Sequence, residues 1–281
     1  MQVLVVDYHS PDAPARFTES LRETGFAAIL NHPLSAGLVD GIYAEWEAFF
    51  VSGAARSYRH TDRQDGYYPP EEAETAKGAT TRDLKEFFHV FPWGRYPSEV
   101  SGAALEFHAS ASRLAVELLG WVEANTPAAV AARFSRPLSR MMDGSYRTLL
   151  RILRYPPLTG AEEEGAVRAA AHEDINLLTI LPGSNRPGLQ VLDRNGGWHD
   201  APCDPGMLTI NAGDMLQYAS GGFYPSTTHR VVNPSGQAAG MSRMSMPLFL
   251  HPADDVVLAD GRTANAFLQE RIAILRGQTP A

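Results

Sequence analysis

The sequence predicts a mainly β fold with flanking helices, and three observations support this prediction. Between residues 146 and 250, short β-type runs follow one another, and turn-forming Pro-Gly and Asn-Gly pairs separate them. The first third of the chain instead has apolar residues at helical spacing. A final stretch returns to that spacing. Many short strands with frequent turn signals are typical of an antiparallel sandwich or barrel.

The N-terminal region contains the helical patterns. Residues 15–24 and 38–50 have apolar side chains at a period near 3.6, and the strand-like run GFAAILNHP separates them. Residues 56–68 are polar and aromatic, which predicts a loop. A long amphipathic stretch at 98–123 predicts a further helix.

The β region is read from its apolar runs, which are TLLRILRY, NLLTILP, GLQVLD, GMLTIN, DMLQYA, HRVVN and SRMSMPLFL. Asn195-Gly196 after GLQVLD predicts a hairpin turn. Residues 263–276 are predicted to be helical. Because no repeat, low-complexity tract or linker interrupts the chain, we predict a single domain over 1–281. In it, 1–145 packs on a β core at 146–252, and 253–281 forms a C-terminal helix.

The bulk composition narrows the class of protein. A formal net charge of -8 and a pI near 5.6 disfavour a nucleic-acid surface, which needs a concentrated basic face. No apolar stretch approaches the roughly 18 to 20 residues of a membrane helix. The first residues do not have the pattern of a secretory signal. The single cysteine, Cys203, excludes an intrachain disulfide, and we therefore expect a cytoplasmic protein.

A His-x-Asp pair at His172 and Asp174 is the first chemical signal. Two residues apart in extended backbone, an imidazole and a carboxylate project from the same side and can reach one cation. The core strand NLLTILP follows directly. His229 opens a later β run and is the candidate third ligand. Two imidazoles and one carboxylate leave three positions open on an octahedral metal, which suits Fe(II).

A second His-x-Asp pair, His60 and Asp62, has a different context. Arg59 and Arg63 flank it in a polar loop without an apolar frame. We therefore interpret it as a surface or substrate-loop feature rather than a metal site.

Arg243 and Ser245 lie two residues apart in the predicted strand SRMSMPLFL. Their side chains then share one face, and a guanidinium with a neighbouring hydroxyl forms a fork for a carboxylate. A charged group inside an apolar frame is costly without a partner, so a bound dianion would explain the arginine.

The order of these motifs resembles the isopenicillin N synthase-like branch of the Fe(II) and 2-oxoglutarate oxygenases. The similarity extends over most of 149–252 and includes LRILRYPP, AHEDINLLTILPG, PSTTHRVVNP and SRMSMPLFLHP. It implies a double-stranded β-helix, or jelly-roll barrel, with iron at its open end. It also implies oxidative decarboxylation of 2-oxoglutarate by O2, coupled to hydroxylation, desaturation or ring closure of a small-molecule substrate.

The resemblance also assigns roles to residues. His172, Asp174 and His229 match the iron ligands, while Arg243 and Ser245 match the pair that binds the distal carboxylate of 2-oxoglutarate. Tyr155 matches a tyrosine that hydrogen-bonds the same cosubstrate. Leu153 stands where some plant members have a polar cosubstrate contact, so that contact is expected to be absent.

Four residues are predicted to contact the substrate, namely Phe88, His89, Arg95 and Arg154, and the arginines favour a substrate with a carboxylate. Three alternatives remain at this point. The protein could be an iron oxidase or cyclase that needs no 2-oxoglutarate, a non-catalytic jelly-roll binding protein, or a zinc hydrolase. The sequence names neither the substrate nor the oligomeric state.

Overall fold

The computed structural model describes residues 2–73 and 81–275. The α-helices of these ranges are α1 (Ala13–Thr24), α2 (Ala36–Ser52), α3 (Ala103–Ala124), α4 (Ala128–Ala131), α5 (Asp214–Ala219) and α6 (Ala264–Leu275). The strands are β1 (Val5–Asp7), β2 (Phe26–Leu30), β3 (Gly66–Tyr68), β4 (Glu86–Val90), β5 (Leu149–Tyr155), β6 (Ala169–His172), β7 (Leu178–Pro182), β8 (Leu189–Leu192), β9 (Trp198–Asp200), β10 (Leu208–Ala212), β11 (His229–Val231), β12 (Arg243–Ser245), β13 (Leu248–Leu250), β14 (Val257–Ala259) and β15 (Arg262–Thr263).

Two sheets form the centre of the molecule. The larger has nine strands in the order β1-β2-β10-β7-β13-β5-β4-β3, with β12 also paired to β5. The smaller has the order β6-β11-β8-β9. Their strands pair antiparallel except for β1 with β2. Two antiparallel sheets around a shared interior form a jelly roll, and the predicted fold is confirmed.

Strand β5 shows how the sequence builds the two sides of the large sheet. Successive side chains of a strand point to opposite faces. Leu150 and Ile152 lie in the core beneath the helices, where Trp46 of α2 is fully buried. Leu153 and Tyr155 lie in the second core, between the sheets. The helices therefore close one face, and the other face is available for a site.

The predicted elements are mostly present, with three corrections. DMLQYA forms helix α5 rather than a strand, because Met215, Leu216 and Ala219 have helical spacing and all three are buried. Strand β6 falls on AAAH, which has no β-branched residue. Its pairing with β11 stabilises it. The predicted loop at 56–68 contains the edge strand β3, and it starts within a 3-10 helix at Ala54–Tyr58.

The Asn195-Gly196 turn joins β8 to β9 as a hairpin, as the sequence predicts. Gly196 has a φ of 85°, which favours glycine. The predicted C-terminal helix is α6, and residues 276–281 of that prediction lie outside the described residues. Among the helices within 2–73 and 81–275, none is long and apolar enough to cross a membrane.

Candidate active site

His172 and His229 meet at the open edge of the small sheet. They are direct partners in the antiparallel register of β6 and β11. Their ring centroids are 4.4 Å apart. Asp174 follows β6, and its Oδ1 lies 4.0 Å from Nε2 of His172 and 3.8 Å from Nε2 of His229. Within the described residues, this is the cluster of three side chains that could hold a metal ion, with ligand atoms within 4.8 Å of one another.

Hydrogen bonds orient all three groups toward the same point. Nδ1 of His172 donates to the carbonyl of Ala170 at 2.7 Å, and Nδ1 of His229 donates to the carbonyl of Thr227 at 3.1 Å. A carbonyl only accepts, so Nδ1 carries a proton in both rings, and Nε2 is the nitrogen that faces the neighbouring ligand groups. Partners of this kind fix the tautomer of metal-binding histidines.

Asp174 is held through one oxygen. Its Oδ2 accepts from Thr179 Oγ1 at 2.5 Å and from Asn211 Nδ2 at 2.8 Å, so Oδ1 is the oxygen presented to the two imidazoles. Burial raises the pKa of this carboxyl, but the two imidazoles and these hydrogen bonds outweigh burial and lower it overall. Burial and the nearby His229 lower the pKa of His172. At neutral pH the cluster therefore presents a carboxylate and an unprotonated His172, as metal binding requires.

Arg243 lies behind this cluster in the same cavity. Its side chain is only 1% exposed. Nε donates to the carbonyl of Arg186 at 3.0 Å, and the guanidinium lies 5.2 Å from the ring centroid of Tyr155. Nη1 is buried without a hydrogen-bond partner, and within the described chain no carboxylate lies within ion-pair distance of this arginine. A buried cation in this state is costly, so the arrangement fits an anionic ligand.

The cavity measures about 580 Å³, counting the part open to solvent. It is lined by all three members of the histidine and aspartate cluster, and also by Arg243, Ser245 and Tyr155. The pairing of β12 with β5 aligns Arg243 with Tyr155 and Ser245 with Leu153. Leu153 lines the same wall, so an apolar side chain occupies that position.

The four residues predicted to contact the substrate are not among those that line this cavity, and their contact with a substrate stays a prediction. Phe88 is fully buried in the helix-side core against Trp46. Arg154 points to the opposite face of β5 and pairs with Glu86.

The other two predicted residues, Arg95 and His89, also lie outside the cavity wall. Arg95 binds the carbonyls of Tyr58 and Arg59, and its backbone N–H donates to Asp65. It therefore stabilises a loop. His89 accepts from Nε of Arg151, which does line the cavity.

Lys85 and Arg151 also line the cavity, although neither is among the residues predicted from the sequence. The signal for Arg151 was present, because it alternates with Leu153 and Tyr155 and so shares their face of β5. Lys85 precedes β4, outside any motif, and no comparable pattern marked it. The pair His60 and Asp62 lies outside the metal cluster, and His60 instead binds Glu72 and stacks on Tyr68.

Comparisons with known proteins give the family. A family model described as the 2OG-Fe(II) oxygenase superfamily matches residues 144–252. A 2-oxoglutarate-Fe(II) type oxidoreductase of Aspergillus fumigatus is 30% identical over 280 residues, which covers 89% of this chain and 80% of that protein. The chain belongs to the 2-oxoglutarate and Fe(II) oxygenase family.

Other relatives of this oxygenase agree. Gibberellin 3-beta-dioxygenase 4 of Arabidopsis thaliana is 29% identical, with 91% of this chain and 74% of that protein covered. A crystal structure of a Shewanella oneidensis protein assigned as an oxygenase is 49% identical, with 98% and 99% coverage and a TM-score of 0.88. A Neurospora crassa protein crystallised with alpha-KG and thymine shares the fold at 21% identity, with 97% and 96% coverage and a TM-score of 0.78.

Membership of this family makes the protein an Fe(II)/2-oxoglutarate-dependent dioxygenase that couples oxidative decarboxylation of 2-oxoglutarate to oxidation of a small molecule. Fe(II), 2-oxoglutarate and O2 are its cofactors and cosubstrates. The predicted activity and cofactors are therefore confirmed.

Proposed function

We propose that His172, Asp174 and His229 bind the iron. Arg243 and Ser245 bind the distal carboxylate of 2-oxoglutarate, and Tyr155 hydrogen-bonds the same cosubstrate. The observation that carries this proposal is the unpartnered Nη1 of a fully buried Arg243 in the same cavity as three converging ligand atoms. A diacid that reaches from the metal to the guanidinium would satisfy both sites at once.

The bound iron and 2-oxoglutarate supply the oxidising chemistry when they react with O2. The residues of this chain provide orientation and protection. Thr179 and Asn211 hold Asp174 in place, and the carbonyls of Ala170 and Thr227 hold the imidazoles. Apolar side chains of both sheets, including Phe26, line the cavity and limit the access of water to the reaction.

An anaerobic titration tests the assignment. Fe(II) and 2-oxoglutarate together are expected to produce the metal-to-ligand charge-transfer band in the wild-type protein, and His172→Ala is expected to abolish it. With substrate and O2, succinate should form in a one-to-one ratio with product. Product without succinate would show an oxidase that does not use 2-oxoglutarate.

Three finer assignments are also proposals. The order of the motifs in 149–252 supports the isopenicillin N synthase-like branch. The single Cys203 supports a cytoplasmic location. Lys85 and Arg151, two cationic residues on the cavity wall, support a small-molecule substrate with a carboxylate.

A further inference from the structure

We infer that Asn176 is a positioning residue of the metal site, because it holds the hydroxyl of Thr179 in the direction that makes Asp174 present a single oxygen to the iron. This inference rests on the proposed iron site at His172, Asp174 and His229. It concerns the number of positions on the metal that stay open to 2-oxoglutarate and O2.

Asn176 lies behind the cavity wall rather than in it. It stands between Asp174 and strand β7, and it is completely buried. Thr179 of β7 and Asn211 of β10 are direct partners in the register of these strands, and both line the cavity. Asn176 is not among the residues that line it. A substitution at Asn176 therefore leaves unchanged the side chains that meet the cosubstrate and the substrate.

A chain of hydrogen bonds joins the amide of Asn176 to the proposed iron ligand. Oγ1 of Thr179 lies 2.5 Å from Oδ2 of Asp174, and an ionised carboxylate only accepts, so the hydroxyl donates its one hydrogen there. Oγ1 then has only acceptor positions left, and Nδ2 of Asn176 donates to it at 2.9 Å. Because the amide occupies this side of Oγ1 with a donor, the hydroxyl hydrogen is kept on the side of Asp174.

The two hydrogen bonds to Oδ2 of Asp174 occupy that oxygen completely. A carboxylate oxygen has two lone-pair positions. The hydroxyl of Thr179 takes one of them, and Nδ2 of Asn211 takes the other at 2.8 Å. Oδ1 is the oxygen left for a metal, and it faces Nε2 of His229 at 3.8 Å. Asp174 therefore offers one ligand atom rather than two.

The number of open positions on the metal depends on this arrangement. Two imidazoles and one carboxylate oxygen leave three positions of an octahedral ion open. An α-keto acid has two adjacent oxygen donors, so 2-oxoglutarate can occupy two of these positions as a chelate, and one remains for O2. If Oδ2 of Asp174 also bound the metal, the chelate would fill the last open position. The hydrogen bond from Asn176 therefore protects the position that O2 needs.

The other end of the Asn176 amide argues against a role in folding alone. Its Oδ1 is buried without a hydrogen-bond partner, and it lies against Gly213, where an added Cβ would overlap it. A buried unsatisfied oxygen lowers stability. The backbone here is held without the side chain, because the N–H of Met215 donates to the carbonyl of Asn176 at 3.2 Å. An apolar residue of similar size would serve the fold as well, so the bond to Thr179 is the role that remains.

A double-mutant cycle at Asn176 and Thr179 tests the inference by anaerobic titration of the protein with ferrous ammonium sulfate. Asn176→Leu removes the amide donor, and Thr179→Val removes the hydroxyl that it orients. We expect each variant to bind Fe(II) about 10-fold more weakly, as is typical when a hydrogen-bond partner of a metal ligand is lost. In the Thr179→Val background, Asn176→Leu should change the affinity by less than about twofold, because no hydroxyl is left to orient.

Two further variants separate this effect from a folding defect. Asn176→Ala removes the same donor without placing atoms near Gly213, and it takes the place of Asn176→Leu in the cycle if the leucine variant does not fold. Asn125→Leu is the control, because the Asn125 amide donates to the carbonyl of Trp121 at the end of α3, and its Fe(II) affinity should equal that of the wild-type protein. Circular dichroism and urea unfolding of the metal-free proteins identify the variants that fold.

Crystal structures of the anaerobic Fe(II) complexes supply a second readout, which a role in folding would not change. In the wild-type protein only Oδ1 of Asp174 should bind the iron. In Asn176→Leu, Oδ2 should leave the hydroxyl of Thr179 and approach the metal.

The outcomes distinguish failure of this inference from failure of the proposed function. Unchanged Fe(II) affinity in Asn176→Leu, or an equal loss with and without the Thr179 hydroxyl, would overturn the inference. Iron bound by both oxygens of Asp174 in the wild-type protein, or an Oδ2 that does not move in Asn176→Leu, would also overturn it. If the wild-type protein does not bind iron between His172, Asp174 and His229, the proposed function itself fails.

Discussion

Replacement of Arg243 by methionine should separate cosubstrate binding from both metal binding and folding. The guanidinium is buried and its Nη1 has no hydrogen-bond partner in the protein, so the arginine lowers stability unless an anion binds it. Two charge-assisted hydrogen bonds to a carboxylate contribute about 3 kcal/mol or more together. The variant should therefore bind 2-oxoglutarate about 100-fold or more weakly. Its Fe(II) affinity should change less than about threefold, because Arg243 contacts none of the metal-binding groups.

The stability of the ligand-free variant is the second part of this prediction. Methionine removes the buried cation and leaves the carbonyl of Arg186 without its donor. We expect the first effect to dominate, with unfolding free energy unchanged or raised by about 1 kcal/mol. Anaerobic calorimetry with 2-oxoglutarate, and urea unfolding of the metal-free protein, measure the two quantities. Arg140→Met is the control. Equal losses of Fe(II) and 2-oxoglutarate affinity would refute the assigned role.

Three further perturbations probe the supports of the site. Asn211→Leu removes a donor from Oδ2 of Asp174 and should weaken Fe(II) binding about 10- to 100-fold in a metal titration, and an unchanged affinity would contradict the proposed support. In Gly213→Ala the added Cβ would overlap the backbone of Asn176, so the free energy of unfolding in urea should fall by about 2 kcal/mol or more. The control is Gly120→Ala on α3, where the added Cβ meets open space and should raise the free energy of unfolding by about 0.5 to 1 kcal/mol. Burial and the charge of Arg147 lower the pKa of His251 to about 4, so between about pH 6.5 and 4 the unfolded chain binds a proton that the folded chain does not. The metal-free protein should thus lose stability as the pH falls through this window, and His251→Leu should reduce that loss by about 3 kcal/mol in urea titrations; identical pH profiles would show that His251 makes no contribution.

Much of the fold was predictable because its signals are local. The alternation in TLLRILRY, the Asn195-Gly196 turn and the helical spacing at 15–24 each identify an element that the structure contains. Strand β6 was not predicted, because AAAH becomes a strand only by pairing with β11, which lies elsewhere in the chain. Helix α5 was predicted as a strand, because the helical spacing of its three buried residues extends over only six residues, too few to distinguish a helix from a strand.

The candidate site likewise contains residues that a local sequence pattern predicted and residues that it did not. Spacing placed Arg243 and Ser245 on one face, because that placement depends on strand geometry alone. Spacing also predicted that His172 and Asp174 lie together, although β6 ends at His172 and Asp174 follows the strand. The meeting of His172 with His229 depends on the register of two strands far apart in sequence, which no local pattern fixes. Arg95 and Arg154 were selected for their charge. The structure pairs them with Asp65 and Glu86, so their charge serves the scaffold.

A crystal structure of the anaerobic complex with Fe(II) and 2-oxoglutarate tests the central claim most directly. An anomalous peak measured at the iron edge should lie about 2.0 to 2.2 Å from Nε2 of His172, Oδ1 of Asp174 and Nε2 of His229. The distal carboxylate of 2-oxoglutarate should accept from the guanidinium of Arg243. Iron bound at another cluster, or a diacid that does not contact Arg243, would contradict the assignment.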